Sequence, residues 1–175
     1  RCVLQWVSNP LIALARDFES RAMSNGQLKS AHDNSASVKN RGTMTERKPR
    51  LGLIVNPIAG MGGAVGLKGT DGPAALARAR GLGARPHSEE RAEAALRVVA
   101  QQIGGFEIVT GPGAMGERAA RAAGLSPTVI GQVGPNGTSA DDTRKLAATL
   151  AGLDLDLILF AGGDGTARDV QVAIG

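Results

Sequence analysis

The sequence contains no tyrosine, and aromatic residues make up only 2% of its 175 positions. Its core must therefore be built from Leu, Ile, Val and Ala. A single cysteine, Cys2, excludes an internal disulfide framework and a cysteine-rich zinc site, which fits a reducing, cytoplasmic setting. No apolar run approaches the ~20 residues needed to span a bilayer, so no membrane partner is expected. The opening CVLQWVSNPLIALA is interrupted and lacks the layout of a secretory signal. Also missing is GxxxxGK[ST], despite Lys68 in GLKGT, which argues against a Walker-type phosphate loop.

What remains is 42% hydrophobic, enough for one globular domain with a sizeable core. The net charge of +4 suggests nucleic acid until its distribution is examined. Residues 1–50 hold 9 Lys and Arg against 4 Asp and Glu, whereas residues 51–175 hold 11 against 12. The basic excess belongs to the first fifty residues, and no nucleic-acid partner is expected. That segment is polar, turn-rich and without sustained periodicity, so residues 1–48 are expected to form a disordered or non-native extension. Met44, which opens MTERKPRLGLIV, is read as the natural start; the alternative is a genuine basic tail with a short helix over residues 10–23.

Beyond Lys48 the pattern becomes regular. LGLIVNP reads as a buried strand ended by an Asn-Pro turn. PIAGMGGAVGLKGTDGP places six glycines between two prolines, too many for the interior of a helix or strand. Helices are expected over 74–80 and 88–103, the second with Ala92, Ala95, Leu96, Val99 and Ile103 on one face. FEIVT (106–110) is the next strand, followed by GPGAMGE and a helix over 115–123, and PTVIGQV the third strand. Thr138, Ser139 and Asp141 offer capping oxygens for a helix running to Leu150. LDLILFA makes the fourth strand, and TARDVQVAI starts a last helix. Such alternation predicts an α/β fold over 49–175, with an open, mainly parallel sheet flanked by helices.

In such a sheet the ligand crevice lies beyond the carboxyl ends of the strands. Four polar, glycine-bearing segments are expected there: NPIAGMGG, GPGAMGE, GPNGTSADDT and GGDGTARD. Within the last, Gly162, Gly163 and Gly165 let the backbone approach a ligand, and Thr166 offers either a cap or a hydroxyl for phosphate. Asp164 is the unusual residue, since a carboxylate beside phosphate repels it unless it manages a metal ion or a proton. Its bland alternative is a turn cap. GMGGAVG superficially offers a dinucleotide fingerprint, but the next convincing helix is distant and the Asn-Pro turn intervenes.

NPIAGMGG, LKGTDG, TGPGAMGE, TSADDT and FAGGDGTARD, in that order, resemble the amino-terminal part of the ATP-NAD kinase-like proteins. The wider superfamily includes NAD kinases, diacylglycerol and sphingosine kinases and phosphofructokinases. The resemblance covers residues 50–175 and implies transfer of a phosphoryl group from ATP to the 2′-hydroxyl of NAD, with Mg²⁺ or another divalent cation. It implies Asp164 as the residue that positions or deprotonates the acceptor. Gly162, Gly163, Gly165 and Thr166 would line the phosphate path, and Asn56 and Gly60 would shape the crevice. Asp71, Asp141 and Asp142 are weaker contacts, the last two also being explained by the dipole at a helix start. Family members continue into a β-rich domain that closes the crevice and aids homo-oligomerisation. Only nine residues follow Thr166, so the chain is expected to be a truncated kinase domain with little turnover of its own. A diacylglycerol-type lipid kinase and a non-catalytic nucleotide-binding protein linked to acetoin catabolism are the alternatives.

Other conspicuous residues have ordinary readings. His87 is taken as a surface residue, Met61 and Met115 as gap fillers, and the Arg and Glu residues of 85–97 as a solvated helix face with Glu93 and Arg97 paired.

Overall fold

A computed structural model describes residues 2–5, 47–67, 73–103, 105–134 and 137–175. Its strands are β1 (Cys2–Gln5), β2 (Arg50–Val55), β3 (Glu107–Thr110), β4 (Thr128–Val129) and β5 (Leu157–Ala161). Its helices are α1 (Met61–Ala64), α2 (Pro73–Gly81), α3 (Ser88–Gln102), α4 (Glu117–Ala122), α5 (Ala140–Gly152) and α6 (Asp164–Ile174). The strands form one sheet in the order β1-β5-β2-β3-β4, and every pairing is parallel. This is the expected open, parallel α/β sheet.

The expected irregular extension falls mainly outside the described residues. Cys2–Gln5 are an exception, running parallel to Leu157–Phe160 as an edge strand.

β2 is central because it can be buried on both faces. Leu51, Leu53, Ile54 and Val55 are all fully buried. Leu51, Leu53 and Val55 join Leu157, Leu159 and Ala161 on one face, under Ala92, Ala95, Leu96 and Val99 of α3 and Ala119 and Ala120 of α4. Ile54, Ile158 and Phe160 face the other way, against Leu146, Ala147 and Leu150 of α5 and Val170 of α6. This alternation is the two-residue period of a strand with a helical layer on each side. It also explains the glycine within LGLIV. A Cβ on Gly52 would lie 2.8 Å from Leu155 Cδ1, so the strand makes room there for the end of the α5–β5 connection.

Several boundaries differ from the expectation for local reasons. The glycine-rich segment after β2 makes one helical turn, α1, because Gly60 enters with φ 78° and Met61 is drawn into a small core with Ala79 and Ala84. The expected helix over 115–123 is divided into a 3₁₀ turn, Gly113–Met115, and α4, with Gly116 between them at φ 138°. The third strand shrinks to two exposed residues, although Ile130 N–H still donates to Thr110 O at 2.9 Å. At the start of α5, Ser139 is the N-cap and Asp142, rather than Asp141, completes the capping box.

The opposite end of the sheet is closed by Asp156, whose side chain is fully buried. It accepts hydrogen bonds from Arg47 Nη2 at 2.6 Å and from Arg50 N–H at 2.8 Å, while its own N–H donates to Arg50 O at 2.9 Å. Asp156→Ala is expected to lower unfolding stability by about 2–3 kcal/mol, because it leaves a strand amide and a partly buried guanidinium without their acceptor. Urea unfolding measures this, and a loss below about 0.5 kcal/mol would place the acceptor elsewhere.

Candidate functional site

From β2 the chain moves outward through β3 to β4, then returns to the other side of β2 to form β5. The order therefore reverses between β2 and β5, the topological switch point of the sheet. The NPIAG loop leaves β2 here, and the GGDGT loop leaves β5.

The two loops are tied together. Asn56 N–H donates to Ala161 O at 2.9 Å, extending the ladder one step past the strands. Asn56 Nδ2 donates to Thr166 Oγ1 at 2.9 Å, and Asn56 Oδ1 accepts from Ile58 N–H at 3.2 Å. The Asn-Pro turn thus fixes the amide, and the amide fixes the threonine. Thr166 is only 2% exposed and packs against Gly162, where a Cβ would lie 2.4 Å from the threonine Cβ and Oγ1. Close approach, rather than positive φ, is what requires glycine at position 162. Gly163 is the N-cap of α6 with extended backbone, and neither Gly163 nor Gly165 has any atom within 4 Å of an added Cβ.

Asp164 opens α6 and is exposed. Among the described residues its carboxylate accepts no capping hydrogen bond and joins no ion pair. The turn-capping alternative therefore has no contact behind it, and the carboxylate stands free beside two glycines.

On the other side of β2 lies a cleft of about 810 Å³. The loops after β2, β3 and β4 all line it, with α2 and the first turn of α3. Three of the four segments expected to converge do so here. The GGDGT loop is not part of this lining; it adjoins through Asn56, whose neighbours Pro57 and Ile58 form one wall.

The loop after β3 is held from inside. Thr110 Oγ1 is placed to donate to Leu53 O at 2.8 Å and Met115 O at 3.3 Å, and it lies under Gly116. Glu117 accepts from Gly113 N–H at 2.9 Å and pairs with Arg121 at 3.0 Å. The Gly113 amide first, and Arg121 second, hold its carboxyl below the ordinary 4.5. Ser88 Oγ donates to Ala59 O at 3.4 Å, joining the start of α3 to the NPIAG loop.

Other expected contacts lie elsewhere. Asp71 is outside the described residues. Asp141 pairs with Arg144, which also reaches Asp169 at 2.8 Å, and the arginine holds the Asp141 carboxyl below its ordinary value. Asp142 is engaged with Ser139 at 2.7 Å. Both carboxylates are thus occupied within the protein. Gly60 is exposed and sets the turn into α1. His87 is exposed and contacts Glu90 at 3.0 Å, and Glu93–Arg97 form the expected surface pair at 2.6 Å. Met61 and Met115 are buried, as gap fillers should be.

Residues 85–97 are not simply a solvated face, because Glu89 lines the cleft and accepts two hydrogen bonds from Arg118. A topological signal existed: a helix returning to the start of β3 must begin at the carboxyl edge of the sheet. Arg80, also in the lining, carried no such signal.

An open, parallel α/β sheet whose strand order reverses between β2 and β5, with glycine-bearing loops along its carboxyl edge, defines a doubly wound domain. A family model described as the ATP-NAD kinase N-terminal domain matches residues 51–175, and the chain belongs to that family. Comparison with curated proteins gives no match, nor does comparison with solved structures. Among the described residues no helix is long and apolar enough to cross a membrane.

Proposed function

We propose that the protein is an ATP-dependent NAD kinase-like phosphotransferase, converting NAD to NADP. The observation that carries this reading is the free carboxylate of Asp164 at the switch point, beside a glycine pair and on a helix start anchored by the Asn56–Thr166 bond. Family membership supports the reaction class.

In this mechanism Asp164 accepts the proton of the ribose 2′-hydroxyl as that oxygen bonds to the γ-phosphorus. The bond from phosphorus to the bridging oxygen breaks, and ADP leaves with the electron pair. Asn56 and Thr166 are positioning residues: their mutual bond and the burial of Thr166 direct the Asp164 turn rather than the ligand. Among the described residues no three of His, Cys, Asp and Glu gather as a metal cage. A Mg²⁺ held largely by substrate phosphates and water needs only one or two carboxylates, a role that Asp164 fits. When bound it would neutralise charge on the transferred phosphoryl group.

The test is NADP formation from NAD, ATP and Mg²⁺, assayed with the purified full-length protein. Turnover in the full-length protein is the expected result. Its absence from a folded full-length sample, with diacylglycerol also refused, would reject a kinase of either kind.

A further inference from the structure

The charges lining the 810 Å³ cleft are not equivalent. Glu89, on the first turn of α3, accepts from Arg118 Nε at 2.8 Å and Nη2 at 2.7 Å. This two-pronged pair commits the guanidinium to the carboxylate, and the Glu89 bond holds Arg118 above its ordinary value. Arg80, on the last turn of α2, forms no ion pair with any described residue. Among the described residues it is therefore the one charged side chain of the cleft lining without an opposite charge, in a cleft whose walls include Ile58, Met61, Leu76 and Pro112.

We propose that Arg80 selects the anionic part of the cleft's ligand, a phosphate ester carried on an apolar ring system, while Glu89 withholds Arg118 from that role. The inference rests on reading the crevice as a nucleotide site and adds which side chain reads charge within it. Apolar walls suit the ring, whereas a planar guanidinium presents parallel donors to two phosphate oxygens. A neutral ligand would gain nothing from Arg80. A second bare arginine would favour phosphate regardless of the group attached, and the Glu89 pairing limits that.

The experiment is calorimetric titration of the purified full-length protein with ATP, NAD and adenosine, comparing wild type with Arg80→Gln, Arg78→Gln and Glu89→Gln. Arg78 is exposed on the same helix but outside the cleft lining, so it controls for net charge alone. Arg80→Gln is expected to weaken the phosphate-bearing ligand on the order of ten-fold and reduce its salt dependence. It should leave adenosine unchanged, and Arg78→Gln should change affinity by less than about two-fold. Glu89→Gln should tighten binding several-fold by releasing Arg118. The ATP and NAD arms identify which nucleotide supplies the phosphate. Equal weakening by Arg78→Gln and Arg80→Gln, or unchanged affinity in Arg80→Gln, overturns the assignment. If Arg80→Gln does not fold, Arg80→Lys replaces it, and wild-type affinity with Lys refutes two-oxygen recognition. Arg80-dependent binding without NADP formation would sustain this inference and reject the kinase reading; NADP formation with Arg80-independent binding would do the reverse.

Discussion

Gly116→Ala is expected to lower unfolding stability by about 3 kcal/mol or more, the largest loss from any single added methyl group in this domain. Two costs coincide. At φ 138° the backbone is strained for any L side chain, and the added Cβ would lie 2.0 Å from Thr110 Oγ1. That oxygen has no room to retreat, because Thr110 is completely buried and its hydroxyl lies 2.8 Å from Leu53 O. The methyl group would break this contact between β3 and β2 or force α4 away from the sheet. Urea unfolding provides the measurement, with Gly63→Ala as the control. Gly63 is exposed on α1 with open space at its Cβ, and that substitution should shift stability by less than about 1 kcal/mol. A double-mutant cycle with Thr110→Ala tests the cause. If Thr110 Oγ1 is the obstacle, the double variant loses less than the sum of the singles. Strict additivity would put the strain in the backbone alone.

The largest effect on activity is expected from Asp164→Asn. The substitution keeps size and hydrogen-bonding capacity but cannot take up the acceptor proton, so kcat should fall about 10²- to 10⁴-fold. KM for NAD should change little, because Asp164 does not line the cleft, whereas KM for ATP reads any share of the carboxylate in holding Mg²⁺. An exposed side chain without partners can be changed with little effect on folding, so unfolding of the variant should match wild type. Steady-state NADP formation by the full-length protein is the readout. Undiminished kcat would remove Asp164 from proton transfer, and a rise in KM alone would recast it as a binding residue.

The elements were legible where local pattern and tertiary demand coincide. The apolar run of β2, the spaced alanines of α3 and the glycine pair before Asp164 each state their environment directly. Positions decided by distant partners were not legible. Nothing near Asn56 in sequence indicates that its amide will meet Thr166 Oγ1, 110 residues later. The 3₁₀ turn before α4 follows from Gly116 crossing over Thr110, a contact invisible to periodicity. Asp141 and Asp142 resemble ligands only until Arg144 and Ser139 are placed beside them. Glu89 was absorbed into a helix-face pattern because its distinction lies in what faces it, Arg118 from another helix.

The two-residue length of β4 bears on solubility. A sheet margin with a long row of unpaired amides and carbonyls invites neighbouring chains to add strands, and brevity is one defence against it. Beyond β3 the hydrogen-bonded ladder includes only Thr128 and Val129 before the chain turns away. An incoming strand would find too few consecutive backbone groups there to establish a register, and Pro127, directly before Thr128, removes one more donor, so this margin is protected from templated aggregation.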